Sequence, residues 1–220
     1  MARSALLVKG MAFALGVVSG CSVAAQAAQP SVVAVDGTLC DITRTVVGAA
    51  GKVICLIPPG GDPHGYSLKP SDRQAIATSA AVVHIGFGLT PAANEITSPG
   101  SVVALGEQVL PNYKGNDPHV WHDPANSAAM VSALSTALIP VLPASETEAL
   151  KARATAAIAV FNDLGRWGAI QFETLSQPQR VIVTDHKTYS HLADRYGVDE
   201  IAMLDSYTTG GVLPGLESTC

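Results

Sequence analysis

The sequence predicts an α/β protein of two lobes with parallel sheets joined by a long helix, the second lobe incomplete. Three observations lead there. Short apolar, β-rich runs alternate with helical stretches in the first half, one helical pattern runs from Ser145 to Leu175, and strand and helix resume after it for a single repeat. Strand alternating with helix implies parallel strands joined by crossovers.

Taken in order, strands are expected near 31–35, 53–57, 81–87, 101–105, 181–184 and 200–204, with helices near 40–50 and 71–79. Ser71-Asp72-Arg73-Gln74 reads as a capping box opening the second helix. From Asn126 the pattern turns helical: one piece ends near Pro140 to Pro143, and a second opens at Ser145-Glu146-Thr147-Glu148, another capping box. Leu150, Ala154, Ala157, Ile158, Phe161, Leu164, Ala169, Phe172 and Leu175 keep mostly helical spacing. A helix over 145–175 spans about 45 Å at ~1.5 Å per residue, longer than a compact lobe, and so reads as a strut between two. Beyond Pro178, Tyr189, Leu192, Ala193 and Tyr196 form a helical stripe stopped by Gly197. The expected organisation is 1–20 a signal peptide, 31–125 an N-terminal lobe, 126–176 a helical link and 177–220 part of a C-terminal lobe.

Residues 1–20 carry Arg3 and Lys9 and then a short apolar stretch, the pattern of a secretory signal peptide. That stretch falls short of the ~18 residues that span a bilayer. Val18-Ser19-Gly20-Cys21 resembles a lipobox, with Cys21 as the lipidated first residue, and is preferred to cleavage after Ala25-Gln26-Ala27. Both readings place the protein in the periplasm or on the outer face of the cytoplasmic membrane, where disulfides are permitted. A formal charge of −5, more acidic still without Arg3 and Lys9, argues against nucleic acid and anionic membrane surfaces as partners. Four cysteines are too few for a disulfide framework. Cys40 and Cys55 read as two buried thiols in preference to a bridge, and Cys220 ends the chain.

The chemistry lies in the histidines. Asp62-Pro63-His64-Gly65-Tyr66 recurs 55 residues later as Asp117-Pro118-His119-Val120-Trp121, and Thr184-Asp185-His186 follows an apolar run. This puts three imidazoles at strand-end loops, where α/β sheets carry their sites. Neutral imidazole is a favoured ligand for zinc and similar metals. The run Ile57-Pro58-Pro59-Gly60-Gly61 makes a stiff presenting loop for His64, and Trp121 is placed to shield His119. His122 and Asp123 offer a substitute ligand or an acceptor for an imidazole N–H, with Asp185 a further neighbour of the site. His84 reads as a hydrogen-bonded core histidine and His191 as a solvated one on a helix.

The stretches Gly61 to Asp72, Asp117 to Pro124 and Thr184 to Tyr189 resemble the zinc/manganese substrate-binding proteins of ABC transporters, and the resemblance runs through 31–212. It implies two α/β lobes joined by one long helix, with the metal between them. His64 and His119 would be the N-lobe ligands and His186 the C-lobe ligand. Histidine at the third position favours zinc over manganese, which prefers a carboxylate there. The resemblance implies delivery of the ion to a permease and its ATPase by a monomeric binding protein that catalyses nothing. The adhesive roles associated with the family have no signature in these residues.

Two departures are expected. The acidic, histidine-rich loop of some zinc members is missing, and the chain stops before the segment that holds the family's fourth ligand, an aspartate. That leaves two further readings: a remnant or metal buffer, and a three-histidine zinc hydrolase, for which no HExxH helix is present.

Overall fold

The computed structural model describes residues 29–204. The signal peptide, Cys21, Gly210, Gly211, Pro214 and Cys220 lie outside them. Four strands, β1 (Ser31–Ala34), β2 (Lys52–Cys55), β3 (Ala81–His84) and β4 (Ser101–Ala104), form an all-parallel sheet in the order β2-β1-β3-β4. Val33 pairs with Ile54 on one side and Val82 on the other. The expected third strand stops at His84 because the chain turns left-handed at Gly86 (φ 88°) and Phe87 (φ 51°). Phe87 is held there by its N–H donating to Glu107 Oε1 at 2.7 Å.

The central strands are apolar without alternation because both faces are covered, as parallel sheets require. Val32, Ala34, Ala81 and Val83 pack into one core with helices α1 (Gly37–Val47), α4 (Pro124–Leu138) and α5 (Thr147–Glu173). Val33, Val35 and Val82 pack on the other face with Ile76 of α2 (Pro70–Thr78) and with Leu56, Ile57 and Ala93. A short helix that the periodicity did not indicate, α3 (Leu105–Val109), follows β4 directly.

Three local expectations are corrected. The α2 cap lies earlier than Ser71: Lys69 N donates to Asp72 Oδ2 at 2.8 Å, so Asp72 rather than Gln74 closes the box. Residues Ala144–Glu146 wind as a 3-10 turn, so α5 starts at Thr147 without a side-chain cap and is about 40 Å long at ~1.5 Å per residue. Cys40 and Cys55 are a disulfide, not two thiols, with Cα atoms 5.5 Å apart. The physical reason is that Cys40 sits in α1, the crossover between β1 and β2, and α1 lies over the end of β2 that carries Cys55.

Beyond α5, β5 (Val181–His186), α6 (Ser190–Tyr196) and β6 (Asp199–Leu204) make one strand-helix-strand unit with the strands parallel. Gly197 ends α6 in the left-handed conformation, φ 63°. Gly165 and Gly168 of α5 let α6 approach closely, since a Cβ at Gly168 would lie 2.7 Å from the Tyr196 hydroxyl. Tyr196 also stacks on Phe172 with ring centroids 4.8 Å apart. No helix among the described residues is long and apolar enough to cross a membrane.

Candidate metal centre

The repeated Asp-Pro-His motif is a built turn. In each copy the aspartate accepts the backbone N–H of the histidine two residues on, His64 N to Asp62 Oδ1 and His119 N to Asp117 Oδ1, both 2.9 Å. Proline between them has no N–H to compete and a fixed φ, so the histidine is presented in one pose. The loop bearing His64 is pinned behind it. The Tyr66 hydroxyl lies 2.7 Å from Asp72 Oδ2 and 3.0 Å from Leu56 O, and Gly60 turns at φ 76°. Burial and the hydrogen bond to Asp72 push the Tyr66 hydroxyl up to about 12.

His64 follows β2, His119 precedes the 3-10 turn Val120–His122, and His186 ends β5. The three imidazoles meet. Their candidate ligand atoms all lie within 4.8 Å of one another, and ring centroids are 5.1 Å apart for His64 and His119, 5.4 Å for His64 and His186, and 5.2 Å for His119 and His186. The Nε2 atoms of His64 and His119 are 3.1 Å apart. Nitrogens around a tetrahedral zinc, each ~2.0–2.1 Å from it, are about 3.3 Å apart. His119 is 4% exposed, and the Trp121 ring packs on its edge at 5.3 Å.

Carboxylates orient two of the rings. Asp117 Oδ1 accepts from His119 Nδ1 at 2.7 Å, and Asp185 Oδ1 from His186 Nδ1 at 3.0 Å. A proton held on Nδ1 leaves Nε2 as a lone-pair donor to a metal. Burial raises the Asp117 carboxyl, but hydrogen bonds from the His119 ring and from the His119 and Ser190 amides outweigh it and hold it at about 2. Desolvation, then the neighbouring His119, lowers His64, which keeps its ring neutral below the ordinary histidine range. A metal requires that neutral form.

Other expectations change. His122 does not join the three-histidine group; its ring packs on Tyr189 at 4.2 Å and on Trp121 at 5.3 Å. Burial, then His119, pushes it down to about 4. Asp123 caps α4 through Ala125 N at 2.8 Å and pairs with Arg195 at 3.2 Å, both through Oδ1. His191 is buried rather than solvated, its Nε2 3.1 Å from the Asp117 carbonyl oxygen, because α6 packs on the loop that carries Asp117. His84 is buried at the end of β3.

The model of the ZnuA family, zinc-uptake complex component A, periplasmic, matches residues 32–213. The chain belongs to the ZnuA family. It is 28% identical over 176 residues to the metal-binding protein YtgA of Chlamydia trachomatis, covering 75% of this chain and 54% of YtgA. It is also 28% identical to the manganese-binding lipoprotein MntA of Halalkalibacterium halodurans, covering 77% of this chain and 59% of MntA. The chain thus spans little more than half the length of these relatives. Among solved structures, the periplasmic zinc-binding protein TroA of Treponema pallidum superposes with a TM-score of 0.77 at 22% identity, over 84% of this chain and 70% of that one. The shared α/β fold with its parallel sheet and long helix agrees with the expected fold class. ZnuA-family members are extracytoplasmic metal-binding components rather than enzymes, and the names of these relatives include both zinc and manganese.

Sequence reasoning missed Asp117 as the orienting carboxylate, although its signal was present: it is the first residue of the repeated tripeptide. It also missed Tyr66 and Asp72 as the brace of the His64 loop, where the signal was an aromatic and an acid on either side of Lys69-Pro70.

Proposed function

We propose that this chain captures a divalent metal ion outside the cytoplasmic membrane, zinc in preference to manganese, through His64, His119 and His186, and delivers it to the permease and ATPase of an ABC-type uptake system. The observation that carries this reading is the convergence of three imidazoles from the loop after β2, the loop after α3 and the end of β5, with Nε2 atoms of His64 and His119 at 3.1 Å. The three nitrogen ligands that meet among the described residues suit zinc better than manganese, which favours oxygen. Two of the imidazoles belong to the unit 31–125, the third to 177–220, and 126–176 links them. Export with an anchor at Cys21 would keep the protein near its transporter.

Titration of metal-stripped protein with zinc against a chromophoric chelator, with manganese as competitor, tests the reading. Stoichiometric binding that resists manganese and disappears in His64→Ala and His119→Ala is expected. Weak binding that neither substitution changes, in a folded sample, would defeat it.

A further inference from the structure

Asp117 has a second partner that the metal site does not account for. While Oδ1 holds the ring and amide of His119, Oδ2 accepts the backbone N–H of Ser190 at 2.9 Å, across 73 residues of chain. Ser190 is the first residue of α6, and the next residue, His191, meets the Asp117 carbonyl oxygen. Asp117 is 1% exposed. A buried carboxylate with donors on both oxygens is costly to disturb from either side.

The amides just before Ser190 are held differently. Thr188 N and Tyr189 N both donate to Glu200 Oε1, at 2.8 Å and 3.0 Å, and Glu200 lies on β6. Three successive N–H groups at the start of α6 thus point at two carboxylates, one from within the β5–α6–β6 unit and one from the loop that carries His119. His186 lies four residues upstream, joined through the Thr188 hydroxyl, which donates to His186 O at 3.1 Å.

We propose that Asp117 is a positioning residue that latches the β5–α6–β6 unit to His119, so that placing the His119 ring for the metal and seating α6, and with it His186, are one event. The inference rests on the three-histidine reading above and adds how the third arm is held against the first two. Asparagine cannot replace Asp117: both sides of the carboxylate face donors, and an amide has one acceptor oxygen. Asp117→Asn must therefore give up His119 or Ser190 directly, and because the two are one event the other loosens with it. Arg195 with Asp123 and Tyr196 with Gly165 also tie α6 to the rest of the molecule, so the unit stays attached and the effect is confined to the latch.

The test combines amide exchange, the nitrogen spectrum of the imidazoles and zinc release to a chelator, on the exported protein. In zinc-free Asp117→Asn, exchange at Ser190 is expected to rise about ten-fold or more while Thr188 and Tyr189 hold. The His119 ring loses its preference for the Nδ1–H form, and zinc leaves about ten-fold or more faster. Glu200→Ala, which removes the oxygen that both amides share, is expected to do the reverse, loosening Thr188 and Tyr189 with no change in the His119 ring. Unchanged Ser190 exchange or an unchanged His119 ring in Asp117→Asn overturns the latch. Should that variant lose protection at Val33 and Val82, the unaltered protein decides: zinc must slow Ser190 exchange, and no change overturns the proposal. An unaltered protein that binds no zinc defeats the proposed function, while the zinc-free comparison still judges the latch.

Discussion

Among the described residues, the four-stranded sheet and the β5–β6 pair are both parallel, yet one is covered on both faces and the other on one. β3 is buried at every position, whereas β5 and β6 alternate exposed and half-buried. Val183 is 68% and Met203 69% exposed, against 0% for Val82 and Val33. The difference teaches where stability and adjustability lie in the site. His64 and His119 stand on a doubly packed scaffold, while His186 stands on an element whose energetics depend on α6, Asp117 and Glu200. Regions with less burial open more readily.

The comparison breaks most sharply on truncating core side chains. Leu134 of α4 is fully buried in the core shared by α1, α4 and α5, and Leu134→Ala is expected to cost about 2–5 kcal/mol in chemical unfolding. A cost under about 1 kcal/mol would mean that this core is not the one that holds the scaffold.

The disulfide belongs to the same side of the comparison. Cys40–Cys55 closes a loop with a sequence separation of 15, inside the four-stranded unit. Replacing both cysteines with serine is expected to lower stability by about 3 kcal/mol, the entropy that such a loop removes from the unfolded chain. The β5–α6–β6 unit has no disulfide among the described residues. Exchange of its amides at Val183 and Ile201 is expected to respond less than that at Val33 when the bridge is lost.

Aspartates at the ends of β1 and β5 are shifted in opposite directions. Asp185 is exposed and the backbone N–H of His186 lowers it. Asp36, 3% exposed, caps α1 through Leu39 N, and burial raises it from 3.8 to about 6. Below about pH 3.8 Asp36 is protonated folded and unfolded; between there and about 6 only the unfolded chain releases the proton, so stability from this group falls as pH rises. At neutral pH the ionised carboxylate costs up to about 3 kcal/mol, taking 1.36 kcal/mol per unit over the shift from 3.8 to about 6. Asparagine keeps the cap without the charge. Asp36→Asn is therefore expected to gain stability on the unaltered protein as pH rises from 4 to 7, and parallel curves would refute this.

How far the sequence could be read follows the same division. All six strands were legible because each is a short apolar run between turn residues, and α5 because its stripe is long. The three histidines were legible because two sit in a repeated tripeptide. What failed depended on distance through space. His191 looks solvated on its helix, and only the packing of α6 on the Asp117 loop buries it. Cys40 and Cys55 pair because a crossover helix folds back over its own strand, which spacing does not reveal. Asp117 was visible as part of a motif, but its bond to Ser190 joins residues 73 apart and has no local signal.

The smallest expected effect is the most specific to the open sheet. Val181, Val183, Ile201 and Met203 lie on one face of β5–β6, exposed between 41% and 69%, with Val183 beside Ile201. Because these side chains already meet water, shortening them forfeits little burial. Val183→Ser with Met203→Ser is expected to change unfolding stability by no more than about 0.5 kcal/mol. The same pair should reduce binding of an apolar dye, because contiguous exposed apolar area is what such a dye reads. A loss above about 2 kcal/mol, on the scale of burying such side chains, would mean that this face is covered in solution. The contrast between the two sheets would then be one of what covers them, not of whether they are covered.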